Sequence, residues 1–132
     1  MKRTLICIYA LAAVALTATA QPRFSSNKET HNFGQIEWKH PASAQYVITN
    51  TGDQPLVLTE VDPSCACSVA QWTQTPIAPG EKGKIVVDFD AKALGHFDKS
   101  IAVYSNAQPN VAYLHLTGEV VREIKDFTKT YP

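Results

Sequence analysis

Between residues 33 and 121 apolar and polar side chains alternate along the chain, and this period of two constrains the fold more than any other feature. Side chains of a β-strand point alternately to opposite faces of a sheet, so the pattern predicts strands with one buried face. Glycine, proline and asparagine, which favour turns, interrupt it. Apolar residues at helical spacing are nearly absent, so we expect no helices that could cover a parallel sheet.

About seven strands follow from the alternation. They are expected near residues 30–33 and over residues 42–50, 55–61, 68–72, 84–90, 97–105 and 111–121. Short strands at intervals of about 8 to 12 residues are typical of an antiparallel sandwich. The predicted fold class is all-β, an Ig-like antiparallel β-sandwich of about seven strands, and a small closed barrel is the rival architecture.

The same alternation predicts which side chains face the core. The inward rows are Ala44, Tyr46 and Ile48; Leu56 and Leu58; Ile85, Val87 and Phe89; Phe97, Ile101 and Val103, interrupted by Lys99; and Ala112, Leu114, Leu116, Gly118 and Val120. We expect each row to pack against the facing sheet.

The first twenty residues have the features of a cleavable export signal. Lys2 and Arg3 precede an apolar stretch over residues 5–16, and Ala18 and Ala20 form an Ala-x-Ala cleavage site. The stretch is shorter than the roughly 20 residues that span a bilayer. We therefore expect a signal peptide over residues 1–20, a flexible segment over 21–28, the sandwich over 29–122 and a polar tail over 123–132. The expected location is the periplasm, the cell surface or the extracellular medium.

Removal of the signal leaves 112 of the 132 residues, the length of one domain. Ten basic and twelve acidic side chains remain, so the formal charge is −2. The basic residues are scattered singly, which argues against binding of nucleic acid, and no later segment predicts a membrane span. Cys7 is lost with the signal, so Cys65 and Cys67 are the remaining thiols.

These two cysteines form a Cys-x-Cys pair in the segment Pro63-Ser64-Cys65-Ala66-Cys67-Ser68. Thiols of exported proteins tend to oxidise, but in a regular strand the two Cα atoms would lie about 6.6 Å apart, near the limit for a disulfide. A bridge therefore needs a bend. Closing so short a loop would stabilise the fold by only about 1.6 kcal/mol, before any strain is subtracted.

Four interpretations of the pair stay open at this point. They are a local structural disulfide, a redox-active thiol pair, a site for a soft metal such as Cu(I), and an intermolecular disulfide. A metal is not expected, because no histidine is close to the pair in sequence; Cys65 and Cys67 are its alternative ligands. No motif for a catalytic nucleophile, a phosphate or a dinucleotide occurs, so we predict neither catalytic residues nor a cofactor.

The leading hypothesis is a non-enzymatic module that binds a protein or a cell-envelope component through a sheet edge or through loops. The candidate contact loops are residues 62–68, which contain Pro63 and Ser64, and residues 73–83, which contain Pro76, Pro79 and Gly80. A thiol-redox or copper-handling protein that uses Cys65 and Cys67 is the alternative.

An ordered series of short motifs resembles a bacterial family of exported domains, domain of unknown function 1573. The series is His31-Asn32-Phe33-Gly34-Gln35-Ile36, Asn50-Thr51-Gly52, Pro55-Leu56-Val57-Leu58, Ser64-Cys65-Ala66-Cys67, Trp72, Pro76-Ile77-Ala78-Pro79-Gly80, Val87-Asp88-Phe89-Asp90, Gly95 and Ser105-Asn106-Ala107. The resemblance implies an Ig-like sandwich akin to major-sperm-protein and cilium-associated modules, which bind partners and are not enzymes.

One position departs from the family pattern, which usually reads Ser-Cys-Gly-Cys. This chain has Ala66 where that pattern has glycine. If the position needs a positive φ, alanine carries a strain there that glycine avoids.

Overall fold

The structure, a computed structural model, describes residues 19–124. Its eight strands are β1 (Phe24–Ser26), β2 (Thr30–Glu37), β3 (Ala42–Asn50), β4 (Leu58–Pro63), β5 (Cys67–Trp72), β6 (Lys82–Phe89), β7 (Gly95–Ser105) and β8 (Val111–Val121). Most of the predicted signal peptide and of the predicted tail lies outside the described residues. Within residues 19–124, no helix of membrane-spanning length and apolarity is present.

The strands form two four-stranded sheets that face each other. The first sheet has the order β1-β3-β6-β5 and the second has the order β2-β8-β7-β4. The predicted all-β sandwich is therefore confirmed, with eight strands in place of about seven. Strands β3 and β8 begin and end where the alternation predicts, because both are long and bounded by turn residues.

The additional strand, β1, lies in the segment 21–28 that we expected to be flexible. Phe24 pairs with Asn50 and Ser26 pairs with Ile48, so β1 extends the first sheet beside the end of β3. Phe24 also packs against the core. Three residues are too few to show an alternation, and this strand therefore gives no pattern in the sequence.

One strand pair differs from the antiparallel pattern. β2 runs parallel to β8, whereas the other pairs in both sheets are antiparallel. The ladder is interrupted between Asn32 and Gln35, where Gly34 has a φ of 68° and its N–H donates to Asn32 Oδ1 at 2.8 Å. A glycine takes this left-handed conformation without a Cβ clash, which permits the bulge.

Most residues of the predicted inward rows form the core, whereas Phe97, Ala112 and Gly118 are half-buried. Ala44, Tyr46 and Ile48 of β3 are buried, as are the predicted residues of β6. Their partners across the gap come from the second sheet, in which Ile101, Val103, Leu114, Leu116 and Val120 are buried. Each fully buried large side chain contributes about 1.5–3 kcal/mol to folding, so this layer provides most of the stability of the sandwich.

Asn50, at the end of β3, is fully buried and is bonded through both atoms of its side-chain amide. Its Nδ2 donates to the carbonyl oxygens of Gln54 (2.6 Å) and Ile77 (2.9 Å). Its Oδ1 accepts from the backbone N–H groups of Arg23 (3.2 Å) and Gly52 (3.0 Å). Because a buried amide without partners would be costly, this arrangement joins three chain segments at one end of the sandwich.

Asn106 has a similar role in the connection between β7 and β8. Its Oδ1 accepts from the N–H of Val57 at 2.9 Å, and its Nδ2 donates to the carbonyl of Pro55 at 3.1 Å. This asparagine therefore binds the segment that we expected to open a strand at residue 55. The regular ladder of β4 starts only at Leu58.

Tyr46 links the two sheets by a polar contact inside the core. Its hydroxyl donates a hydrogen bond to the carbonyl oxygen of His115 on β8, and its ring is fully buried. Burial raises the pKa of Tyr46 from 10.0 to about 12, against a smaller opposing effect of the His31 backbone. The phenol therefore stays neutral in the folded protein at a pH where it would ionise in the unfolded chain.

We expect this link to make stability depend on pH under alkaline conditions. The raised pKa contributes stability that is fully present below pH 10 and is lost as the pH rises towards 12. The free energy of unfolding should fall by about 2 kcal/mol more in the wild type than in Tyr46→Phe over this range. Urea unfolding of both proteins at several pH values measures the difference, and parallel curves would contradict the prediction.

Candidate functional site

The two predicted contact loops lie at opposite ends of β5. Pro63, Ser64 and the cysteines stand before or at its start, and Pro76, Pro79 and Gly80 follow its end. The second loop belongs to the packed structure, since Ile77 exchanges backbone hydrogen bonds with Leu56 and the N–H of Gly80 donates to the carbonyl of Asn50 at 2.8 Å. The structure thus does not bring the two loops together, and the first loop contains the chemically reactive groups.

The first loop is a tight turn from Ser64 to Cys67. The N–H of Cys67 donates to the carbonyl oxygen of Ser64 at 3.2 Å, and Ala66 has a φ of 71°. A positive φ at the third residue, without one at Cys65, is the arrangement of a type II turn, which favours glycine there. The expected bend is therefore present, and so is the positive φ that would strain Ala66.

Three further hydrogen bonds hold this turn on both sheets. The N–H of Ser64 donates to the carbonyl of Ser100 at 2.9 Å, and the N–H of Ser100 donates to Ser64 Oγ at 3.2 Å. On the other side, the N–H of Asp90 donates to the carbonyl of Ala66 at 3.1 Å. The backbone between the cysteines is therefore anchored to β7 and to the end of β6.

The two cysteines of the turn have different surroundings. Both are free thiols, so the local disulfide, one of the four interpretations of the pair, is not formed in the structure. Cys65 is exposed, whereas Cys67 is half-buried, packs against the core and pairs with Phe89 of β6. Burial raises the pKa of the Cys67 thiol, the Lys99 ammonium opposes this, and the Asp90 carboxylate raises it further.

Lys99 lies close enough to Cys67 to act on its thiol, and the sequence did not identify this lysine as part of the site. It lies opposite Leu116 in the β7–β8 ladder, between the inward positions of Phe97 and Ile101. A lysine that interrupts an inward row was the available signal, because a cation on that face must reach the rim of the sandwich. Its charge acts on Cys67, which begins the strand at the edge of the other sheet.

Each of the four histidines has a polar partner outside the cysteine turn, which for His40 is the carbonyl oxygen of Trp38 at 3.2 Å. His31 Nδ1 lies 2.6 Å from Lys28 Nζ, and burial followed by the Lys28 charge lowers the pKa of His31. His115 and His96 face Asp98 (3.6 Å) and Glu119 (3.9 Å). Among residues 19–124, no group of three or more His, Cys, Asp or Glu side chains is placed to hold a metal.

One protein family matches most of the chain. The profile of the family described as "Protein of unknown function (DUF1573)" matches residues 24–120. The chain belongs to this family. The match spans seven complete strands and most of β8, and it includes the cysteine turn. A search of curated proteins finds no match.

Solved structures share the fold at low sequence identity. A protein of unknown function from Porphyromonas gingivalis has a TM-score of 0.67 and 22% identity over 80% of this chain and 50% of its own. PapD-like domain 7 of human CEP192 has a TM-score of 0.62 and 11% identity over 94% of this chain and 99% of its own. The Vibrio cholerae secreted serine protease VesC has a TM-score of 0.60 and 11% identity over 77% of this chain and 23% of its own.

These likenesses place the chain among Ig-like and PapD-like β-sandwiches. The chain spans half or less of the length of the Porphyromonas and Vibrio proteins. Together, the family and the fold are consistent with a binding or structural module.

We expect Ala66→Gly to stabilise the protein. Relief of the left-handed strain outweighs the greater freedom that glycine gives the unfolded chain, so the free energy of unfolding should rise by about 0.5–1 kcal/mol. Urea denaturation of the reduced protein measures the change.

Ala91→Gly is a matched control, because Ala91 also has a positive φ, 54°, but is fully buried. Loss of its buried methyl group costs about 0.8 kcal/mol and should cancel the gain. The interpretation of Ala66 would be wrong if its replacement by glycine left stability unchanged or lowered it.

Proposed function

We propose that the chain is an exported, non-enzymatic binding module that contacts a protein or cell-envelope component through the free edge of β5. The observation that carries this proposal is the absence of charge along that edge. β5 pairs with β6 on one side only, and no charged residue occurs from Pro63 to Gly80. A neutral edge strand offers backbone N–H and C=O groups to an incoming strand without electrostatic repulsion.

The other strands at sheet edges are protected in recognisable ways. β1 has only three residues, and β2 has a bulge at Gly34 and ends at Glu37. β4 contains Glu60 and Asp62 and ends at Pro63. Short length, charge and proline discourage edge pairing. Bulges do not distinguish these strands from β5, which has one of its own. β5 is the edge most suited to a partner because it has six residues and none of them is charged.

The side chains of β5 suit strand addition as well. Ser68, Ala70 and Gln71 are exposed and uncharged, and they are small or flexible enough to adapt to a neighbour. A bulge between Val69 and Gln71 divides the strand into two short parts. Main-chain hydrogen bonds would supply affinity, while the exposed side chains would select the partner strand.

Export is supported by the charged, apolar and Ala-x-Ala segments of residues 1–20. The same fold occurs in part of VesC, which is a secreted bacterial protein. The module would therefore meet its partner outside the cytoplasm.

We expect the protein recovered from its native host to begin at Gln21, because cleavage follows Ala20. Intact-mass measurement and N-terminal sequencing of protein from the envelope and the medium test this. Retention of residues 1–20 in the recovered protein would contradict the export part of the proposal.

A charge on the β5 edge should weaken partner binding. Gln71→Lys adds an ammonium at an exposed position of this strand, and we expect about tenfold less cross-linked complex in intact cells. Formaldehyde cross-linking followed by quantitative mass spectrometry measures complexes in each strain.

Tyr113→Lys is the matched control. Tyr113 is 61% exposed on β8, an inner strand of the second sheet, so the same charge should leave cross-linking unchanged there. Equal loss in both variants, or loss only in Tyr113→Lys, would show that β5 is not the contact surface.

A further inference from the structure

We infer that Cys65 and Cys67 form a reversible dithiol site whose substrate is an accessible disulfide, and that Cys65 reacts first. This inference goes beyond the proposed binding through β5 and does not depend on it. It rests on the geometry of the Ser64–Cys67 turn and on the unequal exposure of its two thiols.

The turn provides the bend that a bond between the two cysteines requires. In an extended strand their Cα atoms would be near the limit for a disulfide, but the Cys67-to-Ser64 hydrogen bond folds the chain between them. Anchoring of Ser64 on Ser100 and of Ala66 on Asp90 holds this fold in the reduced protein. The bend that ring closure needs is therefore already present in the reduced protein.

The different exposure of the thiols sets the order of reaction. Cys65 is exposed at the second position of the turn, where an incoming disulfide can align with its sulfur. Cys67 is half-buried, and burial with the nearby Asp90 carboxylate raises its pKa despite the opposing charge of Lys99. The thiolate is the nucleophile in this chemistry, so Cys67 is the slower attacking group.

The reaction has two balanced steps. In the first, the Cys65 thiolate attacks one sulfur of a disulfide RSSR, which forms a Cys65–S–S–R bond and releases RS⁻, and this anion takes up the Cys65 proton. In the second, Cys67 loses its proton and attacks the Cys65 sulfur, which closes the Cys65–Cys67 bond and releases the second RS⁻ as RSH. Two thiols of the protein are oxidised and one disulfide is reduced to two thiols.

A bond across so small a loop can also be reversed readily. Closing three residues constrains the unfolded chain very little, so folding gives this disulfide little protection against reduction. Attack by an external thiolate on the exposed Cys65 sulfur would run the two steps backwards. A structural disulfide in the protein core would lack this access.

The test uses the processed full chain, reduced and then exposed anaerobically to glutathione disulfide as the probe. Acid quenching and intact-mass measurement follow the products over time. We expect the wild type to lose two hydrogens and to release two equivalents of glutathione. Cys67→Ala should accumulate a mixed disulfide on Cys65, identified by peptide mapping, while Cys65→Ser should react at least about tenfold more slowly.

Alanine at position 67 keeps an apolar group against the core, and circular dichroism checks that each variant is folded. Reduced glutathione should then return the oxidised wild type to the dithiol. Equal rates in the two single variants or a first adduct on Cys67 would overturn the assigned order. A wild-type adduct that never closes would overturn the dithiol site itself. A Cys65–Cys67 bond that resists glutathione in the folded protein would overturn reversibility.

Discussion

The packing of alternate apolar side chains between the two sheets is the interaction on which the rest of the structure depends. β3 and β6 supply one layer of it, and β7 and β8 supply the other. These inner strands are long and regular because each buried row stabilises the register of its strand. The edge strands and turns are placed by this central unit, and the chemically distinctive groups lie on its rim.

Most of the motifs that make the family recognisable organise the chain around that unit. Asn50 and Asn106 use their side-chain amides to hold segments that have no regular ladder. Asn32 and Gly34 form the bulge in β2. The exposed Cys65, in contrast, is absent from the core. This contrast separates the residues that build the sandwich from the turn at which we place its chemistry.

The inner strands could be predicted from the sequence because each has several alternating residues between clear turn signals, as β3 and β8 show. Alternation specifies a face but no direction, so it could not reveal that β2 and β8 run parallel. Phe24–Ser26 is too short to alternate at all. At the candidate site, the comparison with glycine identified position 66 as one where a positive φ would strain alanine, and Ala66 has such a φ, 71°. Lys99 was visible in the sequence as a cation that interrupts an inward row, but its approach to Cys67 depends on the contact between the sheets, which no local pattern encodes.

The amino-terminal segment and the cysteine turn lie at opposite ends of strand β3. The N–H of Gln21 donates to Asp53 Oδ1 at 2.7 Å, next to the turn that follows β3. Cys67 instead lies level with the start of β3, because it pairs with Phe89 of β6 and Phe89 pairs with Ala42. The nine residues of β3 between these positions span about 27 Å. A protein held at its amino-terminal end would thus carry its thiols about one strand length away from the point of attachment.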